Sequence, residues 1–240
     1  NMKNEGQIVY NKDDAILEEV LSSFPHKKQP FSTKSKDVLY KIDNKNIIGP
    51  SDDKLLNIDE LSIPGEHNLQ NFLAASTCSH LMGISQNQIV KSMKEFKGVE
   101  HRLEYVRTIN ETDYINDSKA TNIDSVIVAI NTYKQPIVLI LGGFNKGANF
   151  RLLLPHIKSS HVRDIVSYGD AGGQINTALG DAVRSVQVTD LSSAVKKAQL
   201  MAAPGDIVLL SPGCASYDEF SNFEERGNHF KSIIKNLAAS

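Results

Sequence analysis

The chain has 240 residues, 40% of them hydrophobic and 22% charged, with a formal net charge of −2. Such a chain is long enough for one large domain or two ordinary ones and has an ordinary globular composition. Its charge gives no bulk attraction to nucleic acid or to an anionic membrane surface. Two cysteines, Cys78 and Cys214, are too few for a disulfide framework or a zinc site, so two buried, unreactive thiols in a reducing compartment are expected.

Taken in chain order, the sequence opens NMKNEG, with no Met at position 1, and reaches an apolar segment at once, which reads as the middle of a longer protein. QIVYN at 7–11 reads as a short strand, and DDAILEEVLSSF at 13–24 as a helix with acids in its first turn, where they suit the dipole. VLYKIDNKNIIG at 38–49 predicts a hairpin turning at Asn44-Lys45. Two helices follow, one over about 67–83 and one from Ser85, where Gln88 stands at capping-box spacing. The second presents Ile89, Met93 and Phe96 on one face and stops at Gly98. The chain then divides near EFKGVEHR, 95–102.

Beyond that point strands and helices alternate. YIN at 114–116 leads into a helix from Thr121, with Ile123, Val126, Ile127 and Ile130 at helical spacing. PIVLILGG at 136–143 is the longest apolar run; it has the length of a strand covered on both faces and falls far short of a membrane span. A helix through 150–160 is predicted to kink or end at Pro155. Strands at 162–170 and 183–190 alternate with a helix near 172–180 and another that places Leu191, Ala194, Val195, Ala198 and Ala202 on one stripe. A buried strand at 206–213 and a final helix over about 216–238 complete the pattern. Regular alternation of this kind predicts a doubly wound α/β sheet in residues 99–240.

In open α/β sheets ligands bind beyond the carboxyl ends of the strands. Three such junctions are rich in polar or small residues: NDSKATN at 116–122, GGFNKGANF at 142–150 and SPGCASYDEF at 211–220. Asp117, Lys119, Lys146 and Ser216 would converge there on one crevice for a small, polar, anionic ligand, with the third junction running into a helix N-terminus. Each has a plainer alternative: Asp117 and Thr121 as helix caps, Lys146 as a solvated loop lysine, the glycines as turns. Before the division, Asn68 and Asn71 stand three apart at the start of a helix, where their amides either read a donor–acceptor edge such as an adenine or serve as caps and surface polarity. Arg102 follows the division and suits a phosphate. His67 and His101 do not have metal-ligand spacing, and no metal is assigned to this chain.

PGEHNLQNFLAA, GVEHRLEYV, YINDSKATN, LGGFNKG and LLSPGCASYDEFSNFEERGNHF together resemble the Mur ligases, and among them the branch that adds D-glutamate in peptidoglycan synthesis. The resemblance runs in family order from about residue 7 to the C-terminus. It implies residues 98–240 as a C-terminal Rossmann-like ligase domain, doubly wound, and residues 1–97 as the C-terminal portion of a central ATPase-type α/β domain. The implied reaction is an ATP-dependent ligation: a carboxylate of UDP-N-acetylmuramoyl-L-alanine is phosphorylated, the D-glutamate amine attacks the acyl phosphate, and phosphate leaves. Asn68 and Asn71 would then lie at the adenine, Arg102 at the ATP phosphates and Asp117 at the ribose. Lys119 and Thr121 would border the reaction centre, and Thr121, Lys146, Ser216 and Phe223 would hold D-glutamate. The resemblance also implies Mg2+ and small-molecule substrates; a monomer is expected, and the lack of a visible signal peptide or membrane span places it in the cytoplasm. The family's phosphate loop, GxxGK[ST], is absent from these 240 residues, so the chain by itself is expected to be an inactive fragment with the metal ligands elsewhere. Other Mur-type or folylpolyglutamate ligases, or a non-catalytic binding module, are the alternative readings.

Overall fold

A computed structural model describes residues 6–63 and 65–237. The predicted first domain from residue 1 and last helix to residue 238 therefore reach outside the described residues. The chain forms two compact units that divide between Lys97 and Gly98.

In the first unit β1 (Gln7–Asn11) leads through α1 (Ala15–Ser22) to β2 (Lys27–Phe31), and the two strands pair in parallel. Asp14 caps α1, its carboxylate accepting from Ile16 N and Leu17 N. β3 (Lys41–Asp43), β4 (Asn46–Ile48) and β5 (Lys54–Asn57) form an antiparallel sheet. The hairpin turns at Asn44 and Lys45 as predicted, with φ of 45° and 62°, the left-handed pair a two-residue hairpin loop demands. α2 (Glu66–Leu81) and α3 (Gln86–Glu95) pack Phe72, Leu73, Ile89 and Met93 against Tyr40, Ile47 and Leu56. The Ser85–Gln88 capping box forms. Two expectations fail here. Phe96 is 42% exposed, since α3 ends before it, and makes an edge contact with Phe72; Cys78 is exposed.

The second unit contains β6 (Glu104–Ile109), β7 (Thr112–Asn116), α4 (Ile123–Thr132), β8 (Ile137–Gly142), α5 (Leu154–Ser159), β9 (Val162–Tyr168), α6 (Gly172–Leu179), β10 (Arg184–Gln187), α7 (Leu191–Met201), β11 (Ile207–Gly213) and α8 (Phe223–Asn236). Its six strands lie in the order β10-β9-β8-β11-β7-β6, parallel except for the β6–β7 hairpin. Every residue of β8 and β11 is buried, which explains their continuous apolar runs. Ile137, Leu139, Leu141, Ile207 and Leu209 face α4, α5 and α6, while Val138, Ile140, Val208 and Leu210 face α7 and α8. The sheet is doubly wound, as the alternation predicted.

Local differences have local causes. Pro155 starts α5 rather than ending a helix, since the first turn needs no amide donor there. Asn122, not Asp117 or Thr121, caps α4, and its side chain accepts from Ser125 N at 2.9 Å. Asn122→Ala should therefore cost about 1 kcal/mol, read as a lower urea midpoint at unchanged slope; an unchanged midpoint would show that this cap contributes nothing. α8 begins at Phe223, seven residues later than predicted. Among the described residues no helix is long and apolar enough to cross a membrane.

Candidate active site

Strands β8, β11 and β7 are neighbours, and all three run the same way. Their carboxyl ends, at Gly142, Gly213 and Asn116, therefore release the three polar junctions side by side. Backbone bonds then tie the junctions together. Asp117 N donates to Leu210 O at 2.7 Å, and Gly213 N to Ala120 O at 2.8 Å. Phe144 and Ala215 form an antiparallel bridge, with N–H···O distances of 2.9 and 3.1 Å. This last closure needs Gly143, at φ 118°, where a Cβ would stand 2.3 Å from Ala215 O.

Beneath the junctions lies Arg226, which is 0% exposed. Its Nε donates to Ser118 Oγ at 2.9 Å and Nη2 to Ser118 O at 2.7 Å. Nη1 donates to Cys214 O at 3.1 Å and Ala215 O at 3.2 Å. A buried guanidinium so satisfied pins the β7 junction to the β11 junction, and hydrogen bonds to a charged donor are worth about 1.5–3 kcal/mol each. Ser118 Oγ in turn donates to Phe223 O at 2.8 Å, which fixes the start of α8. Arg226 is the structural residue that the sequence reading passed over. The available signal was a cation three residues after Phe223 and four before Phe230, a spacing that puts all three on one helix face.

Asp117 faces inward and is 4% exposed. Its carboxylate accepts from Ser211 Oγ at 2.8 Å and from Leu103 N at 3.2 Å. Burial nevertheless pushes its pKa up to about 7, against those two bonds and the nearby Arg102 charge. Asn116, fully buried, places its amide 2.9 Å from His101 Nδ1 and 2.9 Å from Glu104 Oε2. Burial first, and the Lys231 ammonium second, lower the His101 pKa, which favours a neutral ring able to accept there. Cys214 is an inert thiol, raised to about 12 chiefly by burial.

Cations occupy the open side. Lys119 and Lys146 are exposed, and so are Arg102 and Thr121, whereas Ser216 is buried and Phe223 half-buried. Lys119 Nζ stands 5.8 Å from the Phe223 ring centroid, and Lys146 Nζ 4.9 Å from that of Tyr217. The flank is of opposite sign: a cleft of about 610 Å³ lined by Asp170, Asp218, Glu219 and Thr189 among others. Because α8 starts at Phe223, Ser216 sits in a loop and not at a helix N-terminus, and the first turn of α8 carries Glu224 and Glu225. The expected helix-dipole anion site at the third junction is thus not formed. Arg102, Asp117, Lys119, Thr121, Lys146, Ser216 and Phe223 all belong to this second unit. Asn68 and Asn71 belong to the first, on the first two turns of α2, half-buried and exposed respectively. Among the described residues no three His, Cys, Asp or Glu side chains converge on a metal position.

The unit that gathers these strand ends is also the part that matches a known family: residues 101–214 match the family described as Mur ligase, glutamate ligase domain. The chain is 41% identical over 242 residues to the UDP-N-acetylmuramoylalanine--D-glutamate ligase of Clostridioides difficile (strain 630), across 99% of this chain and 53% of that protein. The enzyme of the same name from Lactobacillus johnsonii is 40% identical over 228 residues, across 92% of this chain and 48% of its own length. The chain therefore spans about half the length of the relatives it matches. Among solved structures, MurF ligase from Thermotoga maritima in complex with ADP superposes with a TM-score of 0.66 at 14% identity, covering 98% of this chain and 55% of that one. The bifunctional folylpolyglutamate synthase/dihydrofolate synthase from Yersinia pestis gives 0.60 at 15% identity, covering 91% of this chain and 50% of that one. At such identities the structural likeness shows the fold alone.

Proposed function

We propose that this chain supplies the D-glutamate-binding part of an ATP-dependent ligase that joins D-glutamate to UDP-N-acetylmuramoyl-L-alanine. One observation carries the reading: the junctions after strands β7, β8 and β11, the first two bearing Lys119 and Lys146, are locked side by side in a chain 41% identical to a D-glutamate ligase. ATP transfers its γ-phosphoryl group to the substrate carboxylate. The D-glutamate amine then adds to the acyl carbon, loses a proton and expels phosphate. In this reading Lys146, Thr121, Ser216 and Phe223 hold D-glutamate, whose carboxylates need cations and hydroxyl donors. Lys119 and Arg102 offset charge that builds on the transferring phosphoryl group. Asp117 meets the ribose through the part of its carboxyl group that Ser211 and Leu103 leave free. Asn68 and Asn71 are assigned to the adenine. Mg2+ enters as the counter-ion of the ATP phosphates, with no step assigned to a metal on this chain. The reaction belongs to the cytoplasm, and a monomer is the proposed state.

Thermal unfolding of the 240-residue chain with D-glutamate or L-glutamate tests the reading. D-glutamate should raise the midpoint by mass action, and Lys146→Ala should remove that rise. A larger rise with L-glutamate would favour a folylpolyglutamate-type ligase and sink the proposal.

A further inference from the structure

Lys119 and Lys146 share an unusual setting. Among the described residues neither ammonium has a carboxylate within ion-pair distance, although eleven contacts between a lysine or arginine and a carboxylate form among them. Each instead stands near the ring of an aromatic side chain, Phe223 for Lys119 and Tyr217 for Lys146. An aromatic face attracts a cation without neutralising it. The ammonium is then held in place with its charge still available to an anion, which a carboxylate partner would cancel.

The Lys146–Tyr217 pair is the closer of the two and is set up by the backbone. Phe144 and Ala215 form the bridge between the β8 and β11 junctions, and Lys146 and Tyr217 each follow two residues beyond a bridge residue. Asn145 orders the lysine's own turn: its Oδ1 accepts from Gly147 N at 2.9 Å and Ala148 N at 2.7 Å, and its Nδ2 donates to Gln174 Oε1 at 2.7 Å. The main chain on both sides is thereby fixed, and the Lys146 side chain is the part that still needs a support. Tyr217 supplies it. Tyr217 is 62% exposed, so packing in the core does not account for its position.

We propose that Tyr217 is a positioning residue for ligand carboxylate, its ring holding the Lys146 ammonium at the mouth of the site. The proposal rests on the D-glutamate reading above and adds to it a side chain that acts through the lysine, without its own contact to the ligand.

Two measurements on the full chain test it. The first is the NMR signal of the Lys146 ε-methylene, assigned with Lys146→Met. A methylene over a ring face is displaced upfield; Tyr217→Leu should cancel the displacement and Tyr217→Phe should keep it. The second is D-glutamate affinity, which Tyr217→Leu should weaken about three-fold, the equivalent of an exposed cation–π contact, while Tyr217→Phe restores it. A merely structural tyrosine would move neither selectively. An unchanged lysine signal in Tyr217→Leu overturns the pairing, and unchanged affinity beside a shifted signal overturns the positioning role. Should the wild-type chain take up no D-glutamate, the preceding reading fails and the lysine signal alone decides the pairing.

Discussion

Gly143→Ala is expected to cost the second unit about 3 kcal/mol and to abolish protection by D-glutamate. The added methyl group would stand 2.3 Å from Ala215 O, a backbone atom, and 3.1 Å from an Arg226 Nη1 that is already bonded to Cys214 and Ala215. Neither neighbour is the loose end of a flexible side chain. The residue also sits at φ 118°, where an L side chain is strained. Backbone strain and overpacking each run to about 1–3 kcal/mol. Relief requires the Phe144–Ala215 bridge to open, and that bridge spaces the Lys146 junction from the Ser216 junction. Gly147→Ala is the control: φ is 97° there, but nothing lies within 4 Å of the new Cβ, so strain alone acts and about 1 kcal/mol should be lost. Urea unfolding of both variants measures the difference. Equal losses would show that close approach at Gly143 is not what fixes the crevice.

The parts of this architecture that repeat were legible in the sequence. β8 and β11 read as buried strands because residues covered on both faces leave an unbroken apolar run, and α7 read correctly because Leu191, Ala194, Val195 and Ala198 all face one side of the sheet. Edge elements carried no such signal. β6 has one buried residue, Ile109, and the predicted strand at YIN gave no hint of its antiparallel partner. β2 contains Pro30 and three half-buried positions, so neither period nor composition marks it. The late start of α8 was hidden because Ser216 to Phe220 carry turn-like bonds, Glu219 N and Phe220 N both donating to Ser216 O, which local sequence does not separate from a first helical turn.

The site divides along the same line. Residue types at strand ends picked out Asp117, Lys119, Lys146 and Ser216 as candidates, and their placement beyond neighbouring strand ends was legible because chain direction alone dictates where those ends lie. The contacts that hold them were invisible, since Arg226 reaches Ser118 across 108 positions and Ser211 reaches Asp117 across 94. Pairings at such separation come from the strand order β8-β11-β7, and no local pattern encodes that order.

Asp117 should make stability fall as pH rises towards neutrality, the reverse of the usual carboxylate effect. Burial raises its pKa from 3.8 to about 7 in the folded chain. The folded protein therefore keeps a proton that the unfolded chain has released. Stability from this group is full below about 3.8 and is lost progressively until about 7, and the total approaches about 4 kcal/mol at 1.36 kcal/mol per pKa unit. Against a typical 5–15 kcal/mol of folding free energy that is a large share. His101 acts in the opposite sense, because its lowered pKa makes the folded state lose stability as pH falls through the ordinary histidine range. The comparison with Asp117→Asn isolates the carboxylate. That variant should lack the fall seen in the wild type between pH 4 and 7.5 in urea unfolding, while the Asp117 carboxyl carbon titrates near 7 by NMR. A carboxyl that titrates in the ordinary range, or a fall that survives in Asp117→Asn, would refute it. The same electrostatics reaches the proposed nucleotide site. Arg102 is the nearby charge that lowers the Asp117 pKa, so a polyphosphate seated on Arg102 offsets that influence. Anion binding there at neutral pH is expected to draw a proton onto Asp117, and proton uptake on binding should disappear in Asp117→Asn.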